Sequence, residues 1–310
     1  MKPVCRLALI VGLAVVLGPQ MGCGGDRQAS DQAAARADVS ISWSGCGITK
    51  KAFVERLAAA YEESTGIRVN VSGGGATKGV RGADAGTIDV GGSCRHRLDG
   101  PEEDAAFGTI VAWDALVAIV NPENRVSNLT GDQLRNILLG EITDWSEVSG
   151  ASAPITVLAR NGKISGVGRM VRELIFQDPA TDFTSSALIY SSSTPLEQEV
   201  ETVQGVIGMT GVSSARKRNV KILSLNGVLP DYENIASGAY PHVRPLYLFT
   251  QGPPTGDAKG FVDFALSPEG QALIKAEGTV NLEDGRGLFA AYAERMRQLG
   301  IAEETWNPTA

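Results

Sequence analysis

Gly73-Gly74-Gly75 is followed at once by Ala76-Thr77-Lys78, and the alternating Val69 and Val71 lead into it. Strand, glycine loop, helix start is the build of an anion site. Glycines let the backbone approach closely, and the free N–H groups of a helix start point toward negative charge. A small strand over 88–91 ends in Ser93-Cys94-Arg95. Another over 155–158 runs through Ala159 into Arg160, then a polar loop (161–165) leads by way of Ser165-Gly166-Val167 to a helix from about Gly168 to Phe176. An Arg placed after a strand and before a glycine-containing loop suits bidentate capture of an oxyanion. At a third helix start Thr49 offers a good N-cap. Lys50 next to it either points into a cleft as added charge or is simply solvated. No Ser-His-Asp arrangement, metal-ligand cluster or paired carboxylate in a glycine-rich pocket stands out, so the chemistry is capture, with no catalytic residue, metal or cofactor expected.

These residues need a scaffold, and 310 residues suffice for one large or two moderate domains. With 43% hydrophobic and 20% charged residues the composition is that of a soluble globular protein. A net charge of -7 argues against nucleic acid as a partner. It permits a small anion, because local N–H groups and one or two Arg decide that.

The first residues read as a targeting segment. Lys2 and Arg6 precede an apolar run over 7–17, too short to span a bilayer, and then Gly22-Cys23. A small residue followed by Cys resembles a bacterial lipoprotein signal, so 1–23 is expected to be a signal peptide with a lipobox and Cys23 the lipid-carrying first residue. Gln20 departs from the aliphatic residue usual at its position, and a plain secretory signal is the alternative. Residues 24–38, small and polar, suit a flexible tether.

From Thr49 a helix runs to about Ser64, with Phe53, Leu57 and Tyr61 forming one apolar stripe. The run 109–120 is a long apolar strand, and Leu129-Thr130 caps a helix through Leu138. Short strands follow at 204–209 and 246–250, and helices at 259–266 and 269–276; from Glu283 on the chain reads as a surface helix and a frayed tail holding Trp306, whereas Trp43 and Trp145 read as core. Strands alternating with helices predict an α/β fold with parallel sheets, and two ligand-like loops at strand C-termini suggest two lobes facing a cleft.

Asn121-Pro-Glu-Asn-Arg-Val126, Leu129-Thr130, Gln133-Leu134, Ile137 and Gly140-Glu-Ile-Thr-Asp-Trp145 resemble the signature of the phosphate-binding proteins of ABC phosphate importers. Residues 62–80, 89–95, 205–209 and 240–247 fit the same family in the same order, so the resemblance covers roughly residues 39–280. It implies a two-lobed type II periplasmic-binding-protein fold, with lobe 1 formed by 39–117 plus 245–310 and lobe 2 by 118–244. It also implies phosphate or a related oxyanion as ligand, an ABC permease as partner, and a periplasmic or cell-surface location on a lipid anchor. Carried over residue by residue, it places Thr49, Lys50, Ala76, Thr77, Cys94, Arg95, Arg160, Ser165, Gly166 and Val167 at the ligand, with Arg95 at the cleft edge or in an interlobe contact.

Three positions depart from the family. Ala76 and Val167 each stand where a hydroxyl is usual, and Cys94 stands where Ser or Asp is usual, so a different small anion or a non-transport sensor or scaffold role is the alternative. Cys46 and Cys94 are the only cysteines beyond the signal region. Lying at strand ends, they form a disulfide or redox-sensitive thiol pair, or else stay two unpaired small residues.

Overall fold

The structure is a computed structural model and describes residues 39–307, so the signal segment, Cys23 and the tether lie outside the described residues. One nine-stranded mixed sheet runs through both halves of the chain. Strand β1 (Ser40–Gly45) is flanked in parallel by β2 (Arg68–Gly73) and β3 (Val90–Ser93), Gly45 lying opposite both Gly73 and Gly92. Between β1 and β2 a single helix, α1, starts as Gly47–Thr49, widens to a π-helical stretch at Lys50–Val54 and continues as Glu55–Thr65. The stripe Phe53, Leu57 and Tyr61 is buried as its spacing requires, and Gly66, at φ 75°, ends the helix in the left-handed conformation. Helix α2 (Ala76–Asp84) follows the glycine loop.

Strand β4 (Ala106–Val120) joins the two halves. Its first part, to Ala115, pairs antiparallel with β11 (Val243–Gln251); from Leu116 it pairs with β8 (Val206–Gly211). The continuous apolar run of β4 is what such a doubly covered strand needs, and every residue from Val111 to Val120 is buried. Within the second half, β5 (Asn128–Leu129) precedes α3 (Gly131–Leu139), which begins with a full capping box between Thr130 and Gln133. Strand β6 (Thr156–Arg160) lies between β8 and β7 (Leu188–Tyr190), parallel to both. Helix α4 (166–176) follows β6, and α5 (Ser193–Thr202) follows β7.

After β8 come a short helix α6 (Val212–Ala215), strands β9 (Lys221–Ile222) and β10 (Ser224–Leu225), and α7 (Tyr232–Ala236). Helices α8 (Gly256–Leu266) and α9 (Pro268–Ala276) meet at Ser267, which caps the second with Pro268 at its first position. The chain then forms α10 (Leu288–Gln298) and α11 (Glu303–Trp306). This end corrects the expectation of a frayed tail. Trp306 is buried, its carbonyl accepts from Tyr247 Oη, and its ring meets Tyr292 edge-on at 6.1 Å. Trp43 and Trp145 are core, as expected.

Candidate anion-binding site

Four helix starts meet at one cavity of about 240 Å³ between the two halves of the sheet. Gly47 and Ile48 line it from the start of α1, Ala76 from α2, Gly166 and Val167 from α4, and Ser192, Ser193 and Thr194 from α5. The leading amides of a helix have no partner within it, so each start brings donors and a positive dipole end. The starts of α2, α4 and α5 carry no side-chain cap bond. Gly74 and Gly75, at φ 157° and 88°, turn the chain between β2 and α2; the second value is one that a side chain disfavours.

Arg160, at the end of β6, also lines the cavity and is nearly buried. Its guanidinium is held in a fixed plane: Nε donates to the Tyr190 carbonyl at 3.2 Å, Nη2 to the Ser191 carbonyl at 2.7 Å and Nη1 to Ser193 Oγ at 2.8 Å. Five N–H groups and three bonds leave it donors for an anion. Lys50, half-exposed, lines the mouth with its Nζ 3.5 Å from Glu55, which also lines the cavity. Lys51 also lines the cavity and reaches across it to the fully buried Glu197 at 3.4 Å.

Some residues expected at the ligand do not line this cavity. Thr49 is not the N-cap of α1. Cys46 is, its sulfur accepting the Thr49 amide at 3.3 Å, while the Thr49 hydroxyl is buried against the same sulfur at 2.8 Å. Thr77 and Arg95 do not line the cavity; Thr77 Oγ1 and Arg95 Nε both donate to the Ile164 carbonyl at 2.9 Å, bridging the two halves. The rest of the Arg95 guanidinium is fork-bonded to Glu103 at 2.8 and 2.7 Å, with a further bond to the His96 carbonyl, so it is committed to structure. Ser165 is the N-cap residue of α4, but its hydroxyl turns back toward the Gly162 carbonyl at 3.5 Å and does not line the cavity.

Ser192, Ser193 and Thr194 were not among the residues expected at the site. The signal was present: Ser192 and Ser193 stand just before Leu196 and Val200, which are four apart and buried.

Cys46 and Cys94 are both free, both buried and both in the cavity wall. Burial raises a thiol, yet the hydrogen bonds from Cys94 and Thr49 and the charge of Arg244 outweigh it and bring Cys46 down to about 6. Its hydrogen-bond partner Cys94 moves up for the complementary reasons, the bond and charge of Cys46 added to burial. Arg244, fully buried on β11, donates through Nη2 to Asp114 at 3.1 Å.

Two lobes sharing one long strand, with helix starts from both facing a cleft, define a substrate-binding protein of the type II periplasmic class. The chain belongs to the PBP superfamily, whose domain matches residues 31–269. The phosphate-binding protein PstS of Bacillus subtilis is 26% identical over 286 residues, covering 90% of this chain and 94% of that one. The phosphate-binding protein PstS of Borreliella burgdorferi is 25% identical over 248 residues, covering 77% and 89%. Among solved structures, a chain from Clostridium perfringens with bound phosphate, described as a phosphate ABC transporter substrate-binding protein, superposes with a TM-score of 0.71 at 26% identity, covering 78% of this chain and 99% of that one. An ABC-type phosphate transport receptor from Vibrio cholerae gives 0.61 at 26% identity, with the same coverage.

Proposed function

We propose that this protein captures phosphate, or a closely related oxyanion, outside the cytoplasmic membrane and presents it to an ABC permease. The convergence of four helix starts and the braced Arg160 on one small cavity carries this reading. Small anions of compact shape are what backbone N–H groups and a fixed guanidinium bind best. Lys50, Ala76, Cys94, Arg160, Gly166 and Val167, with the glycine loop, are the expected residues in its wall, which also includes Lys51, Glu55 and the starts of α1 and α5.

The lobes are taken as 39–117 plus 245–310 and 118–244, closing on the anion by a hinge in β4 and β11. Cys23 is taken as the lipidated first residue, tethering the protein to the membrane through residues 24–38. Calorimetry of the reduced protein with phosphate and with sulfate tests the capture step. A single phosphate site per chain, with sulfate binding at least tenfold weaker, supports it; no heat with either anion at millimolar concentration overturns it.

The apolar replacements Ala76 and Val167, with Cys94, favour one second reading, a divergent relative for a different small anion. Tighter binding of another oxyanion in the same titrations selects it.

A further inference from the structure

Anion capture needs no redox chemistry from the thiols in the cleft wall. Cys46 and Cys94 sit just beyond the C-terminal ends of the neighbouring strands β1 and β3, and the Cys46 amide donates to the Gly92 carbonyl at 3.0 Å. That pairing brings both thiols to the wall of the same cavity. Cys46 also caps a helix, its sulfur taking the Thr49 amide at 3.3 Å and lying 2.8 Å from the Thr49 hydroxyl. A helix start is among the environments that make a cysteine nucleophilic.

Beneath the pair lies Arg244, fully buried, with Nε and Nη1 finding no acceptor among the described residues. A buried guanidinium with two unanswered donors is costly unless negative charge sits nearby. Asp114 on β4 answers one arm, and either sulfur of the pair, when ionised, adds negative charge that favours the buried guanidinium. From the other half, Arg160 on β6 adds positive charge toward both sulfurs.

We propose that the Cys46–Cys94 pair is an oxidation site, in which the Cys46 sulfur attacks a small hydroperoxide and Cys94 is the thiol that resolves the product into a disulfide. The Cys46 sulfur attacks one peroxide oxygen; the O–O bond breaks, an S–O bond forms and hydroxide leaves, giving a sulfenic acid. Cys94 then attacks the Cys46 sulfur; the S–S bond forms, the S–O bond breaks, and the departing hydroxide takes the Cys94 proton as water. Overall the pair loses two electrons to hydrogen peroxide, which becomes water and hydroxide. Hydrogen peroxide is small enough for the cavity of about 240 Å³, where a bulky disulfide reagent is not.

Oxidation removes the thiolate charge from the anion cleft. On the reading of the cleft as an anion site, the oxidised protein binds phosphate roughly tenfold more tightly at pH 7, since one like charge within a few ångströms is gone.

The test uses the purified protein, reduced and then given one equivalent of hydrogen peroxide. The expected product is two mass units lighter, with a Cys46–Cys94 linked peptide. In Cys94→Ser the reaction stops at a sulfenic acid on Cys46 that dimedone traps; in Cys46→Ser, Cys94 stays reduced. The rate of oxidation of the wild-type protein rises with pH around a midpoint near 6, which a merely structural cysteine would not show. Two free thiols after excess peroxide, or oxidation of Cys94 in Cys46→Ser, overturns the proposal. Equal phosphate affinity of the reduced and disulfide forms overturns the charge effect alone. Disulfide formation without phosphate binding in either form sinks the capture reading and leaves the thiol chemistry standing.

Discussion

Gly166 faces Cys94 across the cleft so closely that a methyl group on residue 166 would come within 2.6 Å of the Cys94 sulfur and 3.0 Å of Ala76 Cβ. The halves of the protein therefore meet through the smallest side chains available, and Ala76, which removes a hydroxyl, is part of what permits it. Neither neighbour is the far end of a flexible chain, so a larger residue at 166 has to hold the halves apart. We predict that Gly166→Val binds phosphate at least tenfold more weakly while unfolding in urea near the wild-type midpoint. Small-angle scattering should show that phosphate no longer compacts it; wild-type compaction would place the point of closure elsewhere.

Arg160 carries the second prediction. Its three bonds to Tyr190, Ser191 and Ser193 fix both the guanidinium and the start of α5, so its loss removes charge and misplaces donors together. A hydrogen bond to a charged group is worth about 1.5–3 kcal/mol, which corresponds to roughly ten- to a hundredfold in affinity. Arg160→Ala is expected to lose at least tenfold by calorimetry. Arg160→Lys should recover little, because an ammonium cannot hold that three-way brace. An unchanged dissociation constant in Arg160→Ala would remove this residue from the site.

How far these features could be read from the sequence depended on whether the signal was local. The glycine loop before Ala76 and the Ser165-Gly166 start were legible because turn and helix-start chemistry is written in consecutive residues. The start of α1 was placed three residues late, at Thr49, since cysteine is not a usual capping residue and only the structure shows the Cys46 sulfur accepting the amide. Arg95 could be placed between the lobes but not recognised as bound to Glu103, and Trp306 looked like tail because its partners, Tyr247 and Tyr292, are distant in sequence. The family register gave the fold as a whole; the individual contacts that decide which side chain reaches the cleft are long-range, and no periodicity encodes them.

His96 and Glu173 form a buried contact between the two halves. The imidazole Nε2 lies 3.1 Å from one carboxylate oxygen, and Arg169 donates to the same group. Burial would raise the Glu173 carboxyl, but the charges and hydrogen bonds of His96 and Arg169 hold it below its ordinary value. A depressed acid stabilises the fold above its unfolded pKa and withdraws that support as pH falls through the folded value, here below about 4.5. Replacing it by Glu173→Gln leaves two basic groups facing an amide. The expected cost is about 3 kcal/mol, read as a fall in urea midpoint at pH 7. A variant within 0.5 kcal/mol of wild type, on the order of a neutral surface change, would show that the contact adds nothing to stability.

His242 gives acid sensitivity in a different window. Both ring nitrogens are shut away from solvent without a partner among the described residues, and the ring stands edge-on to Tyr240 at 6.4 Å. Burial, reinforced by the positive charge of Arg295, pulls the imidazole from its usual 6.5 down to about 4. Between those values the unfolded chain takes up a proton that the native protein refuses, so stability falls as pH drops from about 6.5 and levels off below about 4. The full effect is about 3 kcal/mol. His242→Phe keeps a ring in the same place and has nothing to titrate. Urea midpoints at pH 7.5, 5.5 and 4.5 should decline steadily for the wild type and stay nearly flat for this variant until the carboxylates of Glu103 and Glu173 begin to protonate. A variant whose midpoints fall in parallel with the wild type would assign the loss above pH 4.5 to another group.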